Sequence, residues 1–123
     1  MARSAVLVTG GAKRIGAAIS VHLARKGHSV AVHHNSSVEE AESIVAKIRS
    51  IGVDACAVKG DLSKSDEVAT IISRASSKIG PIHHVVNNAS KFEFDDINTF
   101  NSKSWSAHMD INAKAPLILT RDL

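Results

Sequence analysis

Eight residues, Thr9-Gly10-Gly11-Ala12-Lys13-Arg14-Ile15-Gly16, constrain this chain more than any other stretch. They follow a short apolar run, Ala5 to Val8, and open into a pattern of helical period. A strand, a glycine turn and a helix start, in that order, leave backbone N–H groups free at the positive end of a helix dipole. Such a turn receives an anion, typically a pyrophosphate. Gly10 and Gly11 permit torsions that a Cβ forbids.

The remaining elements read as a frame for that turn. Ala5 to Val8 has the continuous apolar character of a strand buried on both faces. The helix after the turn places Ile15, Ala18, Ile19 and Leu23 on one face and ends at Gly27. Ser29 to His33 reads as a second strand. Ser37 and Glu40 have the form of a capping box, ahead of a helix with Val38, Ala41, Val45 and Ile48 inward and Gly52 as its stop. Val53 to Val58 reads as a third strand. Ser63 and Asp66 are candidate caps for the next helix, whose inward face is Val68, Ile71, Ile72, Ala75 and Ile79; Gly80-Pro81 breaks it. Ile82 to Val86 is a fourth strand, Asn87 to Ser102 a polar loop, and a last helix runs from about Lys103 onward. This alternation predicts an α/β, doubly wound Rossmann-type parallel sheet of order 3-2-1-4, the first half of such a domain.

Composition narrows the function. The chain has 123 residues, one domain's worth, with 44% hydrophobic and 22% charged residues, which excludes a disordered chain. No apolar run approaches the roughly 20 residues of a membrane span. Met1 to Ser4 is too short to hold the charged and apolar regions of a secretory signal. Cys56 is alone, so no internal disulfide forms, and a reducing, cytoplasmic location is expected. The net charge of +3 is spread along the chain, which suits an anionic small molecule and argues against nucleic acid. His33-His34 and His83-His84 are neighbours on strands and point to opposite faces, so no metal site is expected from either pair.

In open α/β sheets, ligands bind beyond the carboxyl ends of the strands. Four polar clusters fall there: the glycine turn, then His34-Asn35-Ser36-Ser37, then Asp61, then Asn87-Asn88-Ala89-Ser90. NAD binders place an acid at the end of the second strand, about 20 residues past the turn, to hold the ribose 2′-OH. His34, Asn35 and Ser36 stand there instead, and no carboxylate repels a 2′-phosphate. Lys13 and Arg14 are placed to meet that phosphate or the pyrophosphate, so NADP(H) is favoured as cofactor. The competing reading is a solvated basic pair.

These motifs resemble those of short-chain dehydrogenases/reductases along the whole chain. The family's T-G-x-x-x-G-x-G is matched at Thr9, Gly10 and Gly16, with Arg14 in the middle glycine's place; that variant resembles pteridine reductases. The resemblance implies cofactor contacts at Thr9, Gly10, Lys13, Arg14, Ile15, Gly16, His34, Asn35, Ser36, Asp61, Leu62, Asn88 and Ala89, with Asp61 on the adenine. Asn88-Ala89-Ser90 with Phe92 is similar to the pteridine reductases' N-N-A-S-x-F, which implies that Ser90 and Phe92 line a substrate site; Phe92 as a loop anchor is the alternative. Asn112 matches the family's catalytic Asn. Pro116 has no N–H to give to the Asn112 carbonyl four residues back, so that carbonyl is free for a water, or Pro116 simply bends the helix.

The resemblance further implies a Ser and a Tyr-x-x-x-Lys for catalysis. The chain contains no Tyr. The expectation is therefore the cofactor-binding part of an NADPH-dependent short-chain oxidoreductase, residues 1–123 forming one half domain truncated before the Tyr-x-x-x-Lys segment and inactive alone. The whole protein would reduce a C=O or C=N bond of a small molecule, a pterin included, as a homo-oligomer. A non-catalytic NADP(H)-binding module and an inactive truncated product are the alternatives.

Overall fold

The computed structural model describes residues 4–123; Met1 to Arg3, within the lead read above as too short for a signal, lie outside the described residues. The elements run β1 (Ala5–Val8), α1 (Arg14–Arg25), β2 (Ser29–His34), α2 (Val38–Ile51), β3 (Ala55–Lys59), α3 (Ser65–Ile79), β4 (Ile82–Val86), α4 (Ser102–Met109), a π-helical turn (Asp110–Lys114) and α5 (Ala115–Asp122). The four strands form one sheet in the order β3-β2-β1-β4, with all three pairings parallel. The sheet has a core on each face. Leu7, Ala31, Cys56 and Val58 pack with Val68, Ile71, Ile72 and Ala75 of α3 and with Ala115 and Leu119 of α5. Val6, Val8, Val30 and Val32 pack on the other side with Ala24 of α1 and with Ala41, Val45 and Ile48 of α2. β1 and β2 are buried along their whole lengths, as central strands covered on both faces must be.

Several local expectations are corrected. α1 does not turn Ile15 inward; Ile15 is 71% exposed, and Gly16, Ser20, Val21 and Ala24 form the buried face. The reason is close approach. A Cβ on Gly16 would lie 1.9 Å from the Gly10 carbonyl oxygen, so the helix seats its smallest residue on the turn, and Ser20 and Ala24 follow on the same side. Val38 likewise is exposed at the start of α2, while Ala41, Val45 and Ile48 are buried. Ser37 precedes α2 but makes no capping hydrogen bond; its ψ of 58° is outside the extended region that a capping side chain needs. Ser63 does not cap α3. α3 starts at Ser65, so Lys64 holds the cap position and Ser63 lies one residue before it, its N–H and hydroxyl both donating to Asp61 Oδ1 at 2.9 and 2.7 Å, with Asp66 inside the first turn. β3 begins two residues later than expected, because Gly52 at φ +107° ends α2 and the chain becomes extended only after Asp54.

The final helix is interrupted. Ala115 donates to the carbonyl of Asp110, five residues back, and the backbone widens into a π turn. Pro116 then falls at the start of α5, where a missing N–H costs least. The penalty of about 3 kcal/mol for a proline inside a continuous helix is thereby avoided.

β3 is an edge strand, and its outward carbonyls are covered by cations. Arg49 of α2 donates to Ala55 O at 3.3 and 3.0 Å, Lys78 of α3 to Ala57 O at 3.1 Å, and Arg74 to Lys59 O. Charged cover of this kind blocks pairing with another strand.

Candidate functional site

The carboxyl ends of all four strands converge on the glycine turn. Gly10 has φ +60°, and a Cβ there would press on Ala89 at 3.2 Å. Arg14 has φ +50°, the only positive value among non-glycine described residues. The backbone thus keeps the conformation that suits the glycine Arg14 replaces, at a cost of about 1–2 kcal/mol. A device that carries such a cost points to a role for the guanidinium.

Thr9 locks the turn to the β4 exit. Its N–H donates to Val86 O at 3.0 Å, and its Oγ1 accepts from Asn88 N and Ala89 N, each at 3.0 Å. The Asn88 side chain donates to Thr9 O at 3.1 Å and Gly10 O at 3.2 Å. Ser20 reaches back from α1 to Gly11 O at 3.2 Å. Gly11 N donates to His33 O at 2.9 Å, which joins the turn to β2.

α1, unlike its neighbours, starts without an acid. α2 carries Glu39 and Glu40 in its first turn and α3 carries Asp66 and Glu67; α1 carries none, and no side chain caps it. Its first N–H groups are left for an anion, with Lys13 and Arg14 exposed beside them. These features fit a dinucleotide's phosphates.

A recess of about 100 Å³ beside the turn is lined by Gly10, Ala12, Lys13, His33, His34, Asn35 and Ser37. Asn35 and Ser36 are exposed at its rim. His34 is 7% exposed, and its Nδ1 is buried without a hydrogen-bond partner. Burial, then the Lys59 charge, pulls the His34 pKa below 6.5. Asp61 Oδ1 accepts from Ser63 Oγ and Ser63 N, and these bonds hold its carboxyl below the usual range. The Leu62 side chain packs in the core, so any ligand contact there falls to its main chain.

Past β4 the chain is extended, and α4 and the π turn hold alternate residues. Asn112 Oδ1 accepts from Lys91 N and its Nδ2 donates to Lys91 O, both at 2.8 Å. His108 Nε2 accepts from Glu93 N at 3.0 Å while Nδ1 meets Ser104 O at 2.7 Å. Phe92 and Phe94, which alternate with the held residues, are 85% and 84% exposed. Ser90 is exposed next to them. Trp105, Phe100 and Met109 line a hollow of about 270 Å³ with Phe92.

The structure thus brings Thr9, Gly10, Lys13, Arg14, Ile15, Gly16, His34, Asn35, Ser36, Asp61, Asn88 and Ala89 to one edge of the sheet. Ser90, Phe92 and Asn112 belong to the adjoining loop and π turn. Three residues had no site role in the sequence expectations: His33, considered only as half of a non-chelating pair, His108 and Phe94. The alternation Lys91-Phe92-Glu93-Phe94 carried a signal for Phe94. Nothing local distinguished the two histidines.

Comparison with known proteins agrees with this geometry. Residues 4–123 match the short chain dehydrogenase family. The 3-oxoacyl-[acyl-carrier-protein] reductase FabG of Staphylococcus aureus is 35% identical over 114 residues, 93% of this chain and 46% of the relative. The crystal structure of FolM alternative dihydrofolate reductase 1 from Brucella suis, in complex with NADP, is 43% identical with a TM-score of 0.92, over 97% of this chain and 49% of that one. A blue fluorescent protein from a metagenomic library, in complex with NADPH, is 28% identical with a TM-score of 0.91, over 97% of this chain and 49% of that one. The chain spans about half the length of the relatives it matches. A strand order of 3-2-1-4, the glycine turn at its switch point and a match along residues 4–123 agree, and the chain belongs to the short-chain dehydrogenase family.

Proposed function

We propose that this chain is the NADP(H)-binding part of a short-chain reductase that reduces a C=O or C=N bond of a small molecule. The observation that carries the reading is the start of α1: uncapped, free of acids and flanked by exposed Lys13 and Arg14. NADPH bound there would supply the hydride. In this reading the N–H groups that open α1, those of Arg14, Ile15 and Gly16, receive the pyrophosphate, while Gly11 N stays bonded to the His33 carbonyl. Lys13 and Arg14 take the 2′-phosphate, with His34, Asn35 and Ser36 around the ribose. Asp61 and the Leu62 main chain meet the adenine. Thr9, Asn88 and Ala89 hold the turn and the nicotinamide side. Asn112 acts through its main-chain carbonyl, which Pro116 cannot bond, as acceptor for a water.

A pterin is favoured as substrate. The support is Arg14 in a glycine's place, the exposed pair Phe92 and Phe94 suited to a flat heteroaromatic ring, and 43% identity to a FolM alternative dihydrofolate reductase 1. The 35% identity to a 3-oxoacyl-[acyl-carrier-protein] reductase supports an acyl thioester as the second reading. No Tyr occurs in the 123 residues, so the family's proton donor is not among them. The reading extends to a cytoplasmic location, supported by the lone Cys56, and to a homo-oligomeric whole protein, supported by the family likeness.

Calorimetric titration with NADPH and NADH tests the cofactor. Replacing Lys13 and Arg14 together by alanine is expected to weaken NADPH about tenfold more than NADH. Equal losses, or no NADPH binding at high micromolar concentration, would refute the reading. Turnover of a dihydropteridine against a 3-oxoacyl thioester by a protein that carries this chain together with the Tyr-x-x-x-Lys segment separates the two substrates.

A further inference from the structure

His33 sits where three strand exits meet. It is the penultimate residue of β2, and its imidazole is 2% exposed. Nδ1 lies 3.0 Å from Gly10 N, and Nε2 lies 2.8 Å from Gly60 O. The two contacts fix the state of the ring. A backbone N–H only donates, so Nδ1 must be an unprotonated acceptor. A carbonyl only accepts, so Nε2 must carry the hydrogen. The ring is the neutral Nε2–H form, and it spans from the first glycine of the phosphate turn to the loop after β3. The same residue's main-chain carbonyl accepts from Gly11 N at 2.9 Å, so one histidine holds both glycines of the turn.

We propose that His33 is a positioning residue for the phosphate turn: in its neutral Nε2–H form it holds the Gly10 N–H, and loss of that form weakens NADP(H) binding. The inference rests on the NADP(H) reading above. Without the imidazole, the part-buried Gly10 N–H loses its acceptor, and the φ +60° conformation of Gly10 loses a restraint. Protonation at Nδ1 does the same and adds repulsion, since two N–H groups then face each other. The surrounding groups oppose the cation. Burial lowers the His33 pKa below 6.5, and the charges of His34, its neighbour on β2, and Arg74 of α3 lower it further, while the bond to the Gly60 carbonyl partly raises it. The carboxylates nearby in the chain are turned to other partners: Asp61 to Ser63, and Glu67 to the Asp61 N–H and Lys64. Lys13 in the turn is exposed, and Lys59 at the end of β3 acts on His34.

Two measurements test this. Long-range nitrogen–proton NMR of the protein reads the tautomer directly, without any ligand. At pH 7.5 His33 is expected as the Nε2–H form, with the Gly10 amide signal moving at the same acid midpoint as the ring. A protonated Nδ1 at that pH would overturn the proposal. Calorimetry with NADP⁺ then compares the protein with His33→Asn, whose Oδ1 can replace Nδ1 as acceptor but cannot titrate, and with His33→Gln, whose amide lies one carbon farther out, on the Gly60 side rather than at the Nδ1 position. At pH 8, His33→Asn is expected within about threefold of the parent and His33→Gln weaker by about fivefold or more, the scale of one lost hydrogen bond. As pH falls through the acid midpoint that NMR reads for the His33 ring, the parent should lose affinity faster than His33→Asn. The cofactor's 2′-phosphate titrates near pH 6 in both proteins, so the difference between the profiles reports His33. Parallel profiles refute the proposal while leaving the cofactor reading intact. Absence of NADP⁺ binding by the parent refutes the cofactor reading and, with it, the effect on affinity. A purely structural role would lower melting temperature without separating the pH profiles, and that outcome also counts against the proposal.

Discussion

Replacing Gly16 by alanine would place a Cβ 1.9 Å from the Gly10 carbonyl oxygen and 2.6 Å from Asn88 Nδ2. Ordinary contact needs about 3.5 Å, so α1 and the turn must part by on the order of 1 Å. Overpacking of a rigid backbone costs about 1–3 kcal/mol. The Asn88 side chain, displaced from Thr9 O and Gly10 O, forfeits two hydrogen bonds of about 1 kcal/mol each. The better helix propensity of alanine returns at most about 1 kcal/mol. The net is a loss of about 3 kcal/mol, or roughly 10 °C in melting temperature for a chain of this size. Gly27→Ala is the control: φ is +94° there and nothing lies within 4 Å, so the cost is backbone strain alone, about 1–2 kcal/mol. Thermal melts followed by circular dichroism rank the variants. If Gly16→Ala melts no lower than Gly27→Ala, the close approach of α1 to the turn is not what makes glycine necessary at this position.

Acid should destabilise the fold before its carboxylates protonate. Burial lowers the pKa of His33 and His34 in the folded chain, so the unfolded chain binds more protons as pH falls through about 6.5. Stability is complete above that pH and declines toward the folded values below it. Asp61, held below 3.8 by Ser63, contributes in a lower window, lost only as pH falls through its own depressed value. Urea midpoints at pH 8 and pH 5.5 check this, and a midpoint that rises toward acid would contradict it. Asn112→Ala should free the Lys91 main chain, with faster hydrogen exchange at the Lys91 amide and a stability loss of about 1–2 kcal/mol; unchanged exchange would show that the side chain does not clamp the loop. Arg49→Ala with Lys78→Ala uncovers the Ala55 and Ala57 carbonyls of edge strand β3. Light scattering should then show faster association than in the parent, and equal rates would remove the guard assigned to these cations.

The sheet and its order were legible in the sequence because each cause is local. Short apolar runs, helical spacing and glycine stops repeat in β1, α2, α3 and β4. The glycine turn was legible because Gly10 and Gly16 meet backbone demands that few other residues satisfy. The family likeness rested on the same residues, together with Asp61, Asn88 and Ser90. Side-chain pairings were not legible. Ser37-Glu40 and Ser63-Asp66 fit capping patterns, yet neither serine caps its helix; Ser37 has the wrong ψ, and α3 starts one residue too late for Ser63, with Lys64 in the cap position. Ile15 suited an apolar helical face until the approach of Gly16 to Gly10 rotated α1.

What the sequence determined by itself is the alternating fold and the turn that receives a phosphate, since both follow from spacing and backbone torsion. Only the tertiary structure decided what holds that turn. Thr9 and Asn88 lie far apart in the chain, as do Gly10 and His33, and Lys91 and Asn112. Parallel pairing of β1 with β2 and β4 brings the first two pairs together, and the packing of the last helices against the loop brings the third. Contacts of that range leave no periodicity in the chain, because each depends on the register of elements that are not neighbours in sequence.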